Sequence, residues 1–152
     1  MNEVPADRVR EHTAGDVNTE LDERAVASVA ALLDAPRDEL SRRIAELDRE
    51  WDVERVLEAN AASLTLVGAL LSLSSRRWIA LATIVPAFLL QHALQGWCPP
   101  LELIRRLGVR TRKEIDAERV AVKALRGDFE GLPAEASGVD GARRLLDAAS
   151  RG

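Results

Sequence analysis

The sequence predicts an all-α fold in which a two-helix transmembrane hairpin lies between amphipathic cytoplasmic helices. Apolar residues recur at helical spacing along most of the 152 residues, and no alternating strand pattern is visible. Charged residues are unevenly distributed, because residues 61–100 contain only Arg76 and Arg77. The chain has 21 basic and 25 acidic side chains in total, so its two ends are highly charged while its middle is apolar.

Residues 1–52 precede the apolar middle. Residues 1–17 mix Pro, Gly and charged residues without apolar periodicity, which predicts a disordered tail. The pattern of residues 18–52 predicts two amphipathic cytoplasmic helices. The first runs from a capping box at Thr19 to about Asp34, and the second begins at Pro36. Apolar residues lie on one face of the second helix, at Leu40, Ile44, Leu47 and Trp51. This stripe predicts packing against another helix or self-association.

Residues 53–111 are predicted to form the transmembrane hairpin domain. Residues 59–73 carry no charge, and with their flanks they provide about 20 residues, or about 30 Å of helix. Residues 78–97 form a second uncharged segment of 20 residues, which matches the hydrocarbon core of a bilayer. The connection between the two segments is short, so we expect two antiparallel helices that pack together.

Small residues predict the face on which the two hairpin helices meet. They are Ala61, Thr65, Gly68 and Ser72 in the first helix, and Ala80, Thr83 and Ala87 in the second. Pro86 is expected to bend the second helix and to free a backbone carbonyl near Ala82, which the Thr83 hydroxyl is placed to satisfy.

Residues 112–152 are predicted to form a C-terminal helix and a flexible tail. Before them, residues 101–107 read as a short basic segment that lies along the membrane interface. A capping box at Thr111 and Glu114 opens a helix that ends at about Arg126. One more short helix is predicted near the end of the chain, from apolar spacing at Ala142, Leu145, Leu146 and Ala149.

Basic residues predict how the hairpin is oriented. They cluster on both of its outer flanks, at Arg42, Arg43, Arg49, Arg55, Arg105, Arg106, Arg110, Arg112 and Lys113. The positive-inside rule therefore predicts a bacterial inner (plasma) membrane protein with both termini in the cytoplasm. Arg76 and Arg77 in the turn would face the periplasm, which runs against the rule. The first residues show neither the basic nor the apolar region of a secretory signal.

Few residues are candidates for chemistry. Cys98 is the only cysteine, which excludes an internal disulfide, and its thiol is interpreted either as reactive or as a packing group at a helix end. Gln91 and His92 are candidate intramembrane polar groups, expected to form hydrogen bonds with Asn60 or Ser63 or to be solvated at the interface. No catalytic, cofactor-binding or metal-binding set is predicted, so we expect neither an enzyme nor a cofactor. The net charge of -4 argues against nucleic-acid binding.

A short motif follows the hairpin. The run Gly96, Trp97, Cys98, Pro99 and the later run Leu107-Gly108-Val109-Arg110-Thr111 resemble the YgaP-like family of small bacterial membrane domains, typified by the transmembrane part of an inner-membrane rhodanese. The resemblance implies a two-helix inner-membrane domain with cytoplasmic termini, self-association and undefined activity. It carries over Cys98 as the family's motif cysteine, but not sulfurtransferase activity, since the rhodanese domain has no counterpart in these residues.

Three functions are compatible with the sequence. The leading hypothesis is an inner-membrane helical-hairpin protein of undefined activity, acting as a membrane anchor or an oligomeric interaction module. Its partners would be the lipid bilayer and either a second copy or another membrane or cytosolic protein. One alternative is a thiol- or sulfur-handling component in which Cys98 carries a persulfide. The other is a soluble helical bundle with a hydrophobic ligand between its apolar helices, although the flanking helices offer only narrow apolar stripes to enclose them.

Overall fold

The computed structural model describes residues 7–129, which form seven α-helices and contain no β-strand. The all-α fold class is therefore confirmed for this part of the chain. The helices are α1 (Arg8–Glu11), α2 (Gly15–Ala30), α3 (Arg37–Leu47), α4 (Val53–Ser72), α5 (Ile79–Gln95), α6 (Leu101–Arg106) and α7 (Arg112–Arg126). A single 3-10 turn, Arg76–Trp78, precedes α5. The predicted helix near Ala142 to Ala149 lies outside the described residues.

Local signals in the sequence explain most helix ends. The Asp52 side chain accepts a hydrogen bond from the Arg55 backbone N–H and so caps α4. Pro36 immediately precedes α3, where its missing N–H costs nothing. Gly96 ends α5 with a φ of +74°, a left-handed conformation that favours glycine.

The chain divides into two compact units. The first unit comprises residues Met1–Arg24 and Trp51–Ile115, and the second comprises Ala25–Glu50 and Asp116–Gly152. In the first unit α4 packs against α5, and an apolar core lies at the end of this hairpin that is far from its turn. That core consists of Val9, Val53, Leu57, Cys98, Leu101 and Ile104. In the second unit the buried apolar residues are Leu32, Leu40, Ile44, Leu47 and Val122.

The structure differs from the expected tail in the described part of residues 1–17. Residues 8–11 form α1, and α2 begins at Gly15, four residues before the predicted Thr19 cap. Val9 and Val17 are buried. Two isolated apolar residues in a polar stretch show no periodicity, so a helix as short as α1 leaves no pattern in the sequence.

The helical hairpin is present, but only one of its helices qualifies by length and composition as a membrane span. That candidate is Arg76–Gln95, with a mean hydropathy of 1.4, and only 6% of it is buried. Two spans were expected, but α4 does not qualify as one, because its first two turns contain three charged residues, Glu54, Arg55 and Glu58. A core helix of a soluble protein passes the same test but is mostly buried, unlike this segment.

The hairpin helices approach each other most closely at Gly68, as the small residues of α4 predict. A Cβ built on Gly68 would lie 2.9 Å from the backbone nitrogen of Ala82. The predicted face of α5 is wrong, because Ala80, Thr83 and Ala87 are exposed. The half-buried residues of α5 are instead Leu81, Ala82, Val85, Leu89 and Gln91. The Thr83 hydroxyl donates to the Ile79 carbonyl rather than to that of Ala82.

Replacement of Gly68 by leucine should separate α4 from α5. The new side chain would collide with backbone atoms of α5, which cannot move independently, and overpacking of this kind costs about 1–3 kcal/mol. We expect Gly68→Leu to lower the midpoint of thermal unfolding, measured by circular dichroism in detergent. The neighbouring exposed Ala69→Leu is the matched control and should leave the midpoint nearly unchanged. Equal effects of the two substitutions would show that the close contact at Gly68 is not required.

Candidate functional site

The hairpin exposes an extended apolar surface. On α4 the exposed large residues are Leu64, Leu66, Val67, Leu70 and Leu71, and on α5 they are Ile79, Ile84, Phe88, Leu90 and Leu94. Leu73, next to the turn, is 85% exposed. Soluble proteins rarely expose contiguous apolar patches of this size, whereas lipid-facing helices must do so. The surface identifies the hairpin as the first candidate functional feature.

Aromatic and basic side chains stand near the ends of this surface. The Arg55 guanidinium lies 4.4 Å from the ring centroid of Trp51, and the Arg77 guanidinium lies 5.7 Å from that of Trp78. Trp97, beyond the end of α5, is exposed. Indole rings beside cations are typical of the membrane–water interface, where one face of the ring is apolar and its edge is wet.

The Cys98 thiol is a packing group of the apolar core. It is 2% exposed and lies in one cluster with Val53, Leu57 and Leu101. Burial raises the pKa of the Cys98 thiol above its ordinary value, although a backbone hydrogen bond with Leu101 partly offsets this. A reactive cysteine needs the opposite, a lowered pKa and an accessible sulfur. The environment of Cys98 therefore favours the packing interpretation over the reactive one.

The motif around Cys98 has a steric basis. Gly96 adopts positive φ, and a Cβ at this position would lie 2.5 Å from the Cβ of Arg8. Only glycine permits α1 to approach the end of α5 so closely. Arg8 also donates to the Leu94 carbonyl, one of the carbonyls that α5 leaves without a helical partner.

Gln91 and His92 do not form the predicted interhelical hydrogen bonds to Asn60. The Asn60 side-chain amide donates instead to the Val56 carbonyl within its own helix. Gln91 is half-buried and His92 is buried. The Nδ1 atom of His92 has no hydrogen-bond partner among the described residues, which is unusual for a buried ring nitrogen.

A buried ion-pair cluster in the first unit escaped sequence analysis. Arg105, predicted to lie on a basic interfacial segment, is 0% exposed. Its guanidinium donates to both carboxylate oxygens of Glu114 at 2.7 Å, and also to the Asn18 side chain and the Val109 carbonyl. Arg10 donates to the same Glu114 carboxylate and to Asp22. This cluster joins α1, α2, α6 and the first turn of α7.

The position of Glu114 at the start of α7 orients its carboxylate toward Arg105. The predicted capping box is confirmed, because the Thr111 N–H donates to Glu114 Oε2 at 2.8 Å and the Glu114 N–H donates to the Thr111 hydroxyl. Burial raises the pKa of the Glu114 carboxyl, but the hydrogen bonds from Arg105 and Thr111 outweigh it, so the pKa lies below its ordinary value of 4.5. The sequence signal for this site was the capping box alone.

Neutralising Glu114 should strongly destabilise the first unit. Glu114→Gln leaves the buried Arg105 without a counter-charge, a change that typically costs about 3–5 kcal/mol. Since the folded-state pKa of Glu114 is lowered, its stabilisation is complete above pH 4.5 and is lost as pH falls through the folded-state pKa. We expect denaturant unfolding to show both effects, and the exposed Glu23→Gln to show neither. A Glu114→Gln variant with wild-type stability would contradict this assignment.

The apolar stripe of α3 is buried except at its last residue. Leu40, Ile44 and Leu47 are all buried in the single chain, whereas Trp51 at the end of the predicted stripe is half-exposed. The buried Glu118 carboxylate of α7 accepts hydrogen bonds from Ser28 of α2 and from Arg43 of α3. Hydrogen bonds of Glu118 thus join α2, α3 and α7 within the second unit. Self-association through the stripe stays a prediction.

An apolar and a charged cavity adjoin the base of the hairpin, and they share Leu57 and Leu89. One, of about 360 Å³, is apolar and is bordered by Ala61, Phe88 and Leu103. The other, of about 490 Å³, is lined by charged side chains and by His92. Within residues 7–129 no group of three or more His, Cys, Asp or Glu side chains is arranged to hold a metal ion.

Comparison of the chain with known proteins identified no similar protein. No protein-family model matches it, and neither does any curated protein or solved structure.

Proposed function

We propose that this protein is a bacterial inner-membrane protein in which the α4–α5 hairpin anchors cytoplasmic helices to the bilayer. The observation that carries the proposal is the exposure of the apolar hairpin surface. In water this exposed surface would promote aggregation, whereas acyl chains solvate it favourably. The anchor is non-enzymatic, and its first partner is lipid.

The polar residues of α4 are compatible with a second, shorter span. Its charged side chains lie in the first two turns, and no charge follows Glu58 until Arg76. A helix of this kind places its charged turns among the headgroups and its remaining turns in the hydrocarbon. The hairpin would then cross the membrane with α4 entering and α5 returning.

The charged ends of the chain favour cytoplasmic termini. Arg49 and Arg55 precede α4, while Arg105, Arg106 and Arg110 follow α5. Although Arg105 is buried and paired, the flanks together still hold more basic residues than the Arg76–Arg77 turn. The positive-inside rule therefore favours a turn on the periplasmic side.

The two alternative functions receive less support. A soluble bundle with a hydrophobic ligand would have to cover both hairpin helices, but their apolar residues are exposed in the folded chain. A thiol carrier requires an accessible sulfur, but Cys98 is 2% exposed and belongs to the apolar core, where it borders the apolar cavity of about 360 Å³. The soluble alternative is tested by the extraction experiment below.

Membrane residence should depend on the lipid-facing residues of α5. We expect wild-type protein to remain in the membrane pellet after alkaline carbonate extraction. Ile84 lies near the middle of the span and is 52% exposed, so Ile84→Arg should reduce the pelleted fraction, since arginine at a helix centre costs about 2.5–3.5 kcal/mol. Leu33→Arg, at a residue 62% exposed outside the hairpin, is the matched control. Wild-type protein that is monodisperse in buffer without detergent would disprove the anchor.

The orientation predicts which positions are accessible from each side of the membrane. In a Cys98→Ala background, Ser74→Cys places a thiol in the turn and Glu11→Cys places one on exposed α1. A membrane-impermeant maleimide added to intact spheroplasts should label the cysteine at position 74 but not that at position 11. After permeabilisation both should be labelled. The reverse pattern in intact spheroplasts would overturn the assignment of cytoplasmic termini.

A further inference from the structure

The apolar cavity lies where α4, α5 and α6 meet, at the end of the hairpin far from its turn. Its volume of about 360 Å³ is within the range of small-molecule sites. Four residues of its wall are buried, namely Leu57, Ala61, Cys98 and Ile104. Every lining residue belongs to the first unit, so the cavity is formed within one compact part of a single chain.

The rim of the apolar cavity is continuous with the exposed apolar surface of the hairpin. Leu64 of α4 and Phe88 of α5 line the cavity and also belong to that surface. On α6 the rim includes Leu103, which is 63% exposed. An apolar ligand that moves along the hairpin therefore reaches the cavity without crossing a charged barrier.

The chemistry of the wall selects an apolar ligand. No charged side chain lines the cavity within the described part of the chain, and apart from the Cys98 thiol its one polar side chain there is Asn60. The Asn60 amide already donates to the Val56 carbonyl. Cavities of this composition stay dry and bind apolar molecules, because water finds too few hydrogen-bond partners in them.

The dimensions of the cavity favour one hydrocarbon chain over a protein helix. A helix with its side chains is about 10–12 Å wide, so a single turn of about 5.4 Å occupies about 400 Å³ or more. The cavity, at about 360 Å³, is too small for one such turn. A hydrocarbon chain is only about 4 Å across, the contact distance of two carbon atoms. Its path along α4 is about 10 Å long, the rise from Leu57 to Leu64.

The depth of the cavity in the bilayer selects the source of the chain. If the hairpin spans the membrane as proposed above, Ile84 lies near the middle of the bilayer and α6 lies at its cytoplasmic side. Val85 and Leu89 follow Ile84 toward α6, so the cavity lies in the cytoplasmic half of the membrane. Acyl chains of the cytoplasmic leaflet fill this depth. The inference thus rests on the proposed function.

We propose that the apolar cavity binds one acyl chain of a membrane lipid from the cytoplasmic leaflet. The chain enters past Leu64 and Phe88 and contacts the buried residues of the wall. Other lipids around the hairpin contact only its exposed side chains. A bound chain is therefore distinguished by its contact with residues that the surrounding bilayer does not reach.

Photo-crosslinking of the full chain in vesicles measures this contact. The vesicles consist of phosphatidylcholine with a small fraction of phosphatidylcholine that carries a diazirine in the middle of one acyl chain. Light converts the diazirine to a carbene, which inserts into neighbouring bonds, and mass spectrometry locates the adducts. We expect buried adducts, on Cys98 and Ile104, in addition to exposed adducts, on Leu70 and Ile84.

Two variants and one control test the path of the chain. Ala61→Phe fills the cavity from its buried wall, so it should lose the buried adducts and keep the exposed ones. Leu64→Trp narrows the rim at an exposed position that leaves the core intact, and it should reduce the buried adducts even if Ala61→Phe fails to fold. The matched control, Ala69→Phe, adds the same ring at an exposed residue of α4 that does not line the cavity and should keep both kinds of adduct.

Each outcome of this experiment is decisive. Wild-type adducts confined to exposed residues, as would result if a second copy covered the cavity, overturn the proposal, as do buried adducts that persist in Leu64→Trp and in folded Ala61→Phe. A free fatty acid of the same chain length, added in the amount of the labelled lipid, should leave the buried adducts unchanged, and their loss would overturn the lipid source. Exposed adducts without buried ones refute only the acyl-chain site, whereas protein without either kind of adduct refutes the anchor itself.

Discussion

The buried pair of Arg105 and Glu114 is the interaction on which the first unit depends. Two guanidinium–carboxylate hydrogen bonds at 2.7 Å, shielded from water, connect the last turn of α6 to the first turn of α7. Arg10 and Asn18 bring α1 and α2 to the same point. Because a buried charge that loses its partner is strongly destabilising, the helices that supply these partners are held together at this point. The end of the hairpin is thereby closed by elements that are far apart in sequence.

The sequence predicts the helices well where their ends are marked by local chemistry. Proline before α3, the capping box at Thr111 and the glycine after α5 each act within a few residues, so the pattern is visible without tertiary information. The burial of Arg105 was missed for the opposite reason. Nothing near Arg105 in sequence distinguishes it from the exposed Arg106, and its partners Asn18 and Thr13 lie about ninety residues away.

In the hairpin, composition predicts the apolar segments, whereas tertiary contacts decide which faces of the helices meet. The apolar character belongs to each segment by itself, so the sequence alone predicts it. The contact face is a property of the pair of helices, and Gly68 was identified only because a close approach requires a residue without a side chain. On α5 alanine-rich positions offered several equivalent faces, and the face chosen by packing includes Val85 and Leu89. The charged cavity, built from four separate helices, has no linear signature at all.

The steric exclusion at Gly96 changes how the short motif around Cys98 is to be understood. Gly96 has no side chain and so makes room for Arg8. An exposed Trp97, a small buried Cys98 and a proline that cannot continue a helix follow it, and together these residues turn the chain at the end of the hairpin. Such a signature would recur wherever that corner is built, irrespective of any reaction. Cys98 then serves this corner through its small volume in the apolar core rather than through thiol chemistry.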